Sequence, residues 1–183
     1  AGTNDHSNHS HVVKVEQMVS APAPPPATDA YNVFALPVES PNHGSRALLT
    51  GPSDPVASPF GWHDTDGNAG EEYTITRGNN VYATEDSNDD NNPGYAPDGG
   101  PTLNFDFPFD PNQIGQGFWD PAITNLFYMN NRIHDVLYRY GFDEASGNFQ
   151  ENNYGSPGQD SDGVNADAQD GSGTNNANFS TPP

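Results

Sequence analysis

The chain has 183 residues, of which 19 are Gly and 18 Pro, so about one position in five loosens or pins the backbone and loops should dominate. Only 32% of the residues are hydrophobic, enough for a small core, and 5 Lys and Arg against 25 Asp and Glu give a formal charge of −20. That charge argues against nucleic-acid and membrane-surface partners, and the absence of Cys removes disulfides, a zinc ribbon and a thiol nucleophile.

No stretch approaches the ~20 continuous apolar residues of a membrane span, and the first residues lack the charged and apolar regions of a signal peptide. The expectation is a soluble, processed chain. Residues 1–30 read as a linker: His6, His9 and His11 stand among Asn and Ser with no frame for a metal. The Pro-rich run Ala21 to Pro26 favours an extended tether. From Tyr31 the texture changes. Residues 31–38, 73–76 and 79–83 alternate large apolar and polar side chains and predict strands.

Residues 85–101 hold almost no apolar side chains and predict a solvated loop. Residues 103–109 alternate again up to Pro108 and should close the first sheet. The strongest local signal follows, with Asp120 as N-cap, Pro121 at the first helical position and Gly141 as terminator, which predicts one long buried helix over 121–140. Leu126, Met129, Ile133, Val136, Leu137 and Tyr140 mark its apolar stripe. Ile123, Phe127 and His134 widen it, leaving Asn131, Arg132, Asp135 and Arg139 as the polar strip. So broad a face implies burial on more than one side, for which this chain holds too little other material. Beyond a polar loop, residues 164–169 predict a final strand, followed by the Gly-rich turn 170–173. The fold class is α+β, a mixed and antiparallel β region with one long helix and many loops.

Asp64, Asp66 and Asn68 alternate like the first ligands of a calcium loop, but Ala69 and Ile75 occupy the positions where an EF-hand needs Gly and Glu. Glu85, Asp86, Asp89 and Asp90 form a second acidic cluster. Each group either gathers a hard cation through oxygen or stands as an ordinary solvated face. His134 lacks a second His three or four residues away and reads as a core histidine. Ser172 lies between two glycines without the context of a hydrolase elbow. The motifs by themselves contain no complete catalytic constellation.

Four blocks carry a resemblance: Thr74-Ile75-Thr76-Arg77-Gly78-Asn79-Asn80-Val81; His134-Asp135-Val136-Leu137-Tyr138-Arg139-Tyr140-Gly141-Phe142; Ala145-Ser146-Gly147-Asn148-Phe149-Gln150; and the run from Asn165 through Gln169-Asp170-Gly171-Ser172-Gly173-Thr174-Asn175-Asn176-Ala177-Asn178-Phe179. In this order they resemble the fungalysin family of secreted, thermolysin-like zinc metalloendopeptidases. The resemblance implies zinc held by a His-Glu-x-x-His helix and a downstream Glu, and no His-Glu pair occurs in this sequence. The zinc ligands and the general base are therefore expected beyond Pro183, with no catalytic residue in this chain, and residues 1–30 resemble the end of a propeptide. The resemblance also implies that Asn176 and Ala177 bind an extended peptide by strand addition and that Phe179 lines a pocket. Asn178 departs from the aromatic common in the wider clan. The partners implied are protein or peptide substrates, the remainder of the catalytic domain and the propeptide, in an extracellular setting. An alternative is a non-catalytic, acidic, calcium-binding fragment of the same ancestry.

Overall fold

Tyr31 and Val33 alternate with two less buried neighbours along β1 (Ala30–Val33), as a short strand with one buried face requires. In the computed structural model, which describes residues 29–68, 70–174, 177, 179 and 180, β1 is central to a three-stranded sheet. It pairs antiparallel with β2 (Ala47–Thr50) and parallel with β4 (Asn104–Phe105). The second sheet has two parallel strands, β3 (Val81–Glu85) and β5 (Val164–Ala168), in register from Val81 opposite Val164 to Glu85 opposite Ala168. Asp29 is buried and Ala30 is already in the sheet, so the fold begins inside the stretch read as linker. Residues 1–28, including the three N-terminal histidines and the Pro-rich run, lie outside the described residues.

The one sheet expected over 31–109 is thus two. Residues 73–76 form no strand; single bridges join Ile75 to Asp98 and Arg77 to Tyr82, and Thr76 bonds Pro97 and Ala83. Only two residues of 103–109 pair, and beyond Phe105 side-chain bonds take over from the ladder. Asp106 accepts from Asn32 Nδ2 at 2.7 Å, and the Phe107 carbonyl accepts from Arg46 at 3.0 Å. Strand β2 went unpredicted because its side chains are mostly exposed and show no alternation.

Helix α1 (Trp119–Arg139) crosses both sheets. It begins two residues earlier than expected: its N-cap is Phe118, without a side-chain cap bond, and Asp120 sits in the first turn, accepting from the Tyr95 hydroxyl at 2.7 Å. A carboxylate there still complements the helix dipole. The helix stops one residue earlier than expected, and Gly141 provides the left-handed residue after it with φ +95°.

The buried face of α1 is rotated from the predicted stripe. Pro121, Ile123, Thr124, Phe127, Tyr128, Asn131 and Asp135 face inward, while Ile133 is 50% exposed, Leu137 42% and Tyr140 87%. Phe127 joins Tyr31, Trp62 and Phe105, all fully buried, with Tyr31 stacked on Phe105 at 5.2 Å and Trp62 edge-on to Phe127 at 6.3 Å. Each such ring contributes about 1.5–3 kcal/mol through burial. Two members of the polar strip, Asn131 and Asp135, turn inward because partners await them. Asp135 accepts from Trp62 Nε1 at 3.0 Å, Ser58 Oγ at 2.7 Å and Asp54 N at 2.9 Å. Asn131 accepts from Asn80 at 3.0 Å. No helix among the described residues is long and apolar enough to cross a membrane.

Candidate functional site

Strand β5 pairs with β3 on one side and with no other described strand, so its outer edge offers free backbone groups. At its end Gln169 turns left-handed, with φ 53°, and the chain folds through Asp170 to Thr174. Asn176 lies outside the described residues, as do Asn175 and Asn178. Ala177 is exposed, and Phe179 is 72% exposed, its ring 6.4 Å from that of Phe149. Ser172 bonds Asp170 through both its N–H and its hydroxyl, each at 2.8 Å.

Two acidic groups come together, and neither is the set the spacing suggested. Asp64 and Asp66 are joined by Glu72, with one oxygen of each within 4.8 Å of the others. Asp64 is 2% exposed; its Oδ1 accepts from Gly67 N at 2.7 Å and from the Tyr154 hydroxyl, while its buried Oδ2 has no partner. Burial first, then the nearby charges of Glu72 and Asp66, push the Asp64 carboxyl up to about 6. The Tyr154 hydroxyl is pushed up as well, by burial and then by Asp64. Asn68 contributes its backbone N–H to Asp66 at 2.7 Å.

In the second group Asp86 and Asp89 meet Asp170. Glu85 and Asp90 face other partners: Glu85 accepts from Ser87 N at 2.9 Å, and Asp90 from Asn92 N at 2.9 Å and Asn88 Nδ2 at 2.8 Å. Asp86 differs from Asp64 in being satisfied, since each of its oxygens accepts a backbone N–H at 3.0 Å, from Asp90 and Asn91.

Two of the described histidines, His63 and His134, are structural in their contacts. His63 is stacked 5.4 Å from Phe105 and bonded to the Tyr31 hydroxyl at 2.7 Å and the Arg77 carbonyl at 3.0 Å. Burial lowers its pKa to about 4, so it is neutral at neutral pH. His134 faces Asp135 at 3.2 Å and Gln150 at 3.1 Å.

With this geometry in view, comparison with known families is decisive: the model of the fungalysin metallopeptidases matches residues 30–183. The chain belongs to the fungalysin metallopeptidase family. It is 43% identical to extracellular metalloproteinase 5 of Trichophyton tonsurans over 156 residues, covering 84% of this chain and 25% of that protein. It is 44% identical to extracellular metalloproteinase 2 of Arthroderma otae over 163 residues, covering 86% of this chain and 25% of that protein. The chain thus spans about a quarter of the length of these curated relatives.

A fungalysin metallopeptidase implies a metal, and the donor sets among the described residues do not suit a catalytic zinc. Among the described residues both ligand groups are all-carboxylate, and neither contains a histidine. Catalytic zinc favours imidazole with an open fourth position, whereas clustered carboxylates suit a hard cation such as calcium.

Proposed function

We propose that this chain is the amino-terminal part of the catalytic domain of a secreted, thermolysin-like zinc endopeptidase that hydrolyses protein peptide bonds. The carrying observation is the fungalysin match over residues 30–183 by a chain spanning a quarter of relatives named extracellular metalloproteinases. In this reading the zinc ligands lie beyond Pro183, and residues before the sheet are the end of a propeptide. The segment Asn176-Ala177, which follows β5 and its turn in sequence, takes an extended peptide by strand addition: the Asn side chain and the Ala carbonyl bond peptide groups, and Phe179 flanks a pocket. The exposed residues Ile133, Val136, Leu137 and Tyr140 of α1 are covered by the remainder of the catalytic domain. The test is Asn176→Ala in the longer enzyme, which should lower kcat/KM for an extended peptide about tenfold; an unchanged kcat/KM would overturn the substrate-edge role.

The chain also binds calcium in this reading, at Asp64, Asp66 and Glu72, where an orphaned buried carboxylate oxygen supports the assignment. Asp86 and Asp89 with Asp170 form a weaker candidate, because Asp86 is satisfied by main chain. Without an ion, the raised pKa of Asp64 means that its contribution to stability is present at low pH and lost as pH rises through about 6. A bound cation reverses that cost, and its affinity should weaken as pH falls below about 6. Calcium should therefore raise Tm at pH 7.5 and do so far less at pH 5, and Asp64→Asn should abolish the rise. A Tm indifferent to calcium at pH 7.5 would contradict the site.

A further inference from the structure

The loop from Gln150 to Asp162 leaves the body of the protein and returns through a closed neck. Gln150 N donates to Asp162 Oδ1 at 2.9 Å, Asp162 N to the Gln150 carbonyl at 3.2 Å and Ser161 N to the Glu151 carbonyl at 2.9 Å. Glu151 N donates to the Asn79 carbonyl at 2.7 Å and Val164 N to the Asn80 carbonyl at 2.9 Å, so both sides of the neck are tied to the turn that leads into β3. The first half of the loop then reaches across to the acidic group at 64–72. Asn152 Nδ2 donates to the Thr65 carbonyl at 2.9 Å, and the Tyr154 hydroxyl stands 3.0 Å from the Asp64 carbonyl oxygen and 3.3 Å from Asp64 Oδ1.

Tyr154 is held in that place from three sides. Its backbone is left-handed, with φ 52°, an uncommon conformation for a residue with a side chain, and Asn152 Oδ1 accepts from Tyr154 N at 2.7 Å. Its ring lies 4.8 Å from that of Phe60. Gly67 leaves room on another side, since a Cβ there would come within 3.0 Å of Tyr154 Cδ1, and Gly67 N donates to Asp64 Oδ1 at 2.7 Å. One oxygen of Asp64 is thus engaged by donors of the protein. The other, Oδ2, belongs to a residue only 2% exposed and has no partner, while Asp66 and Glu72 each bring an oxygen within 4.8 Å of the Asp64 carboxylate. Pinning one oxygen of a carboxylate fixes the direction of the second, which is how outer hydrogen-bond partners prepare a metal ligand.

We propose that Tyr154 is a positioning residue for a divalent cation at Asp64, Asp66 and Glu72, and that the cation, through Tyr154, fastens the 150–162 loop to the rest of the fold. The inference rests on the calcium reading given above and extends it to a residue 90 positions away from Asp64 in sequence. The coupling is reciprocal: an ordered loop raises affinity for the cation by the same factor as the cation favours the ordered loop.

The experiment uses the longer, zinc-loaded enzyme at pH 7.5. Calcium binding is measured by titration calorimetry for the wild type, Asp64→Asn and Tyr154→Phe, and hydrogen exchange of residues 150–162 is followed with and without calcium. Tyr154→Phe keeps the ring against Phe60 and removes only the hydroxyl. The wild type should show a binding event that Asp64→Asn lacks and that Tyr154→Phe weakens about tenfold, the lower end of the range for losing an outer partner of a metal ligand. Calcium should slow exchange of the loop in the wild type, and much less in Tyr154→Phe even at saturation. Equal calcium affinity of the wild type and Tyr154→Phe, loop exchange indifferent to calcium in the wild type, or full loop protection in saturated Tyr154→Phe would each overturn the inference while the calcium site stands. If Asp64→Asn loses no binding event, the calcium reading falls and this inference with it.

Discussion

Asp135→Ala should destabilise the protein by about 3–5 kcal/mol, the range for removing one partner from a buried charged network. Its carboxylate is 1% exposed and is the shared acceptor for Trp62 Nε1, Ser58 Oγ and Asp54 N, three donors from the 54–62 segment that covers α1. Losing it strands these donors, at about 1–3 kcal/mol for each one left buried without a partner, and leaves a cavity. The His134 ring, 3.2 Å from the same carboxylate, loses that neighbour as well. Asp135→Asn keeps one acceptor but turns an amide N–H toward a donor, so it should fall between. Denaturant unfolding of the wild type and both variants measures this. A loss below about 1 kcal/mol for the alanine variant would mean that the network adds little to stability.

Gly78→Ala should cost about 3 kcal/mol or more, the range of severe overpacking. A Cβ on Gly78 would lie 1.7 Å from the Trp62 carbonyl oxygen, 2.7 Å from its carbon and 3.1 Å from His63 Cα. The obstacle is backbone, and that carbonyl is bonded by Asn79 N at 3.0 Å, so the 62–63 and 78–79 segments must separate. Trp62 and His63 carry the aromatic core, and Asp64 follows directly, so the core and the proposed calcium group should loosen together. Gly44→Ala is the control, because its Cβ would meet only the Val38 side chain at 3.2 Å, which can adjust. Thermal unfolding of the two variants should separate them widely, and equal midpoints would refute the close-approach argument.

The helix was legible in the sequence because its signals are local: Pro at its start, an uninterrupted run and Gly at its end. Its orientation was not. Hydropathy assigns Asn131 and Asp135 to solvent, but residues 51 to 81 positions away in sequence donate hydrogen bonds to them, and no local pattern reports those partners. Strand β5 was found by its alternation, whereas β2 has none to find. The acidic sites divide the same way. The spacing of Asp64 and Asp66 pointed to a cation loop, while Glu72 reaches it only because the intervening chain turns back, bringing Glu72 N to the His63 carbonyl. Asp170 meets Asp86 because each closely follows its strand, and the parallel register sets Glu85 opposite Ala168. That pairing is tertiary, and the acidic run at 85–90 carried no sign of it. The family blocks lay in the sequence from the start, since they concern the order of residues and not their contacts.

In the proposed reading this chain contributes the binding edge and scaffold of a metallopeptidase, with the metal ligands supplied from elsewhere. The most direct test is to measure zinc stoichiometry and peptide hydrolysis for the isolated 183-residue chain beside the longer protein. One zinc and chelator-sensitive cleavage are expected for the longer protein, and neither for the chain alone. Stoichiometric zinc on the isolated chain, with cleavage that a chelator abolishes, would contradict it.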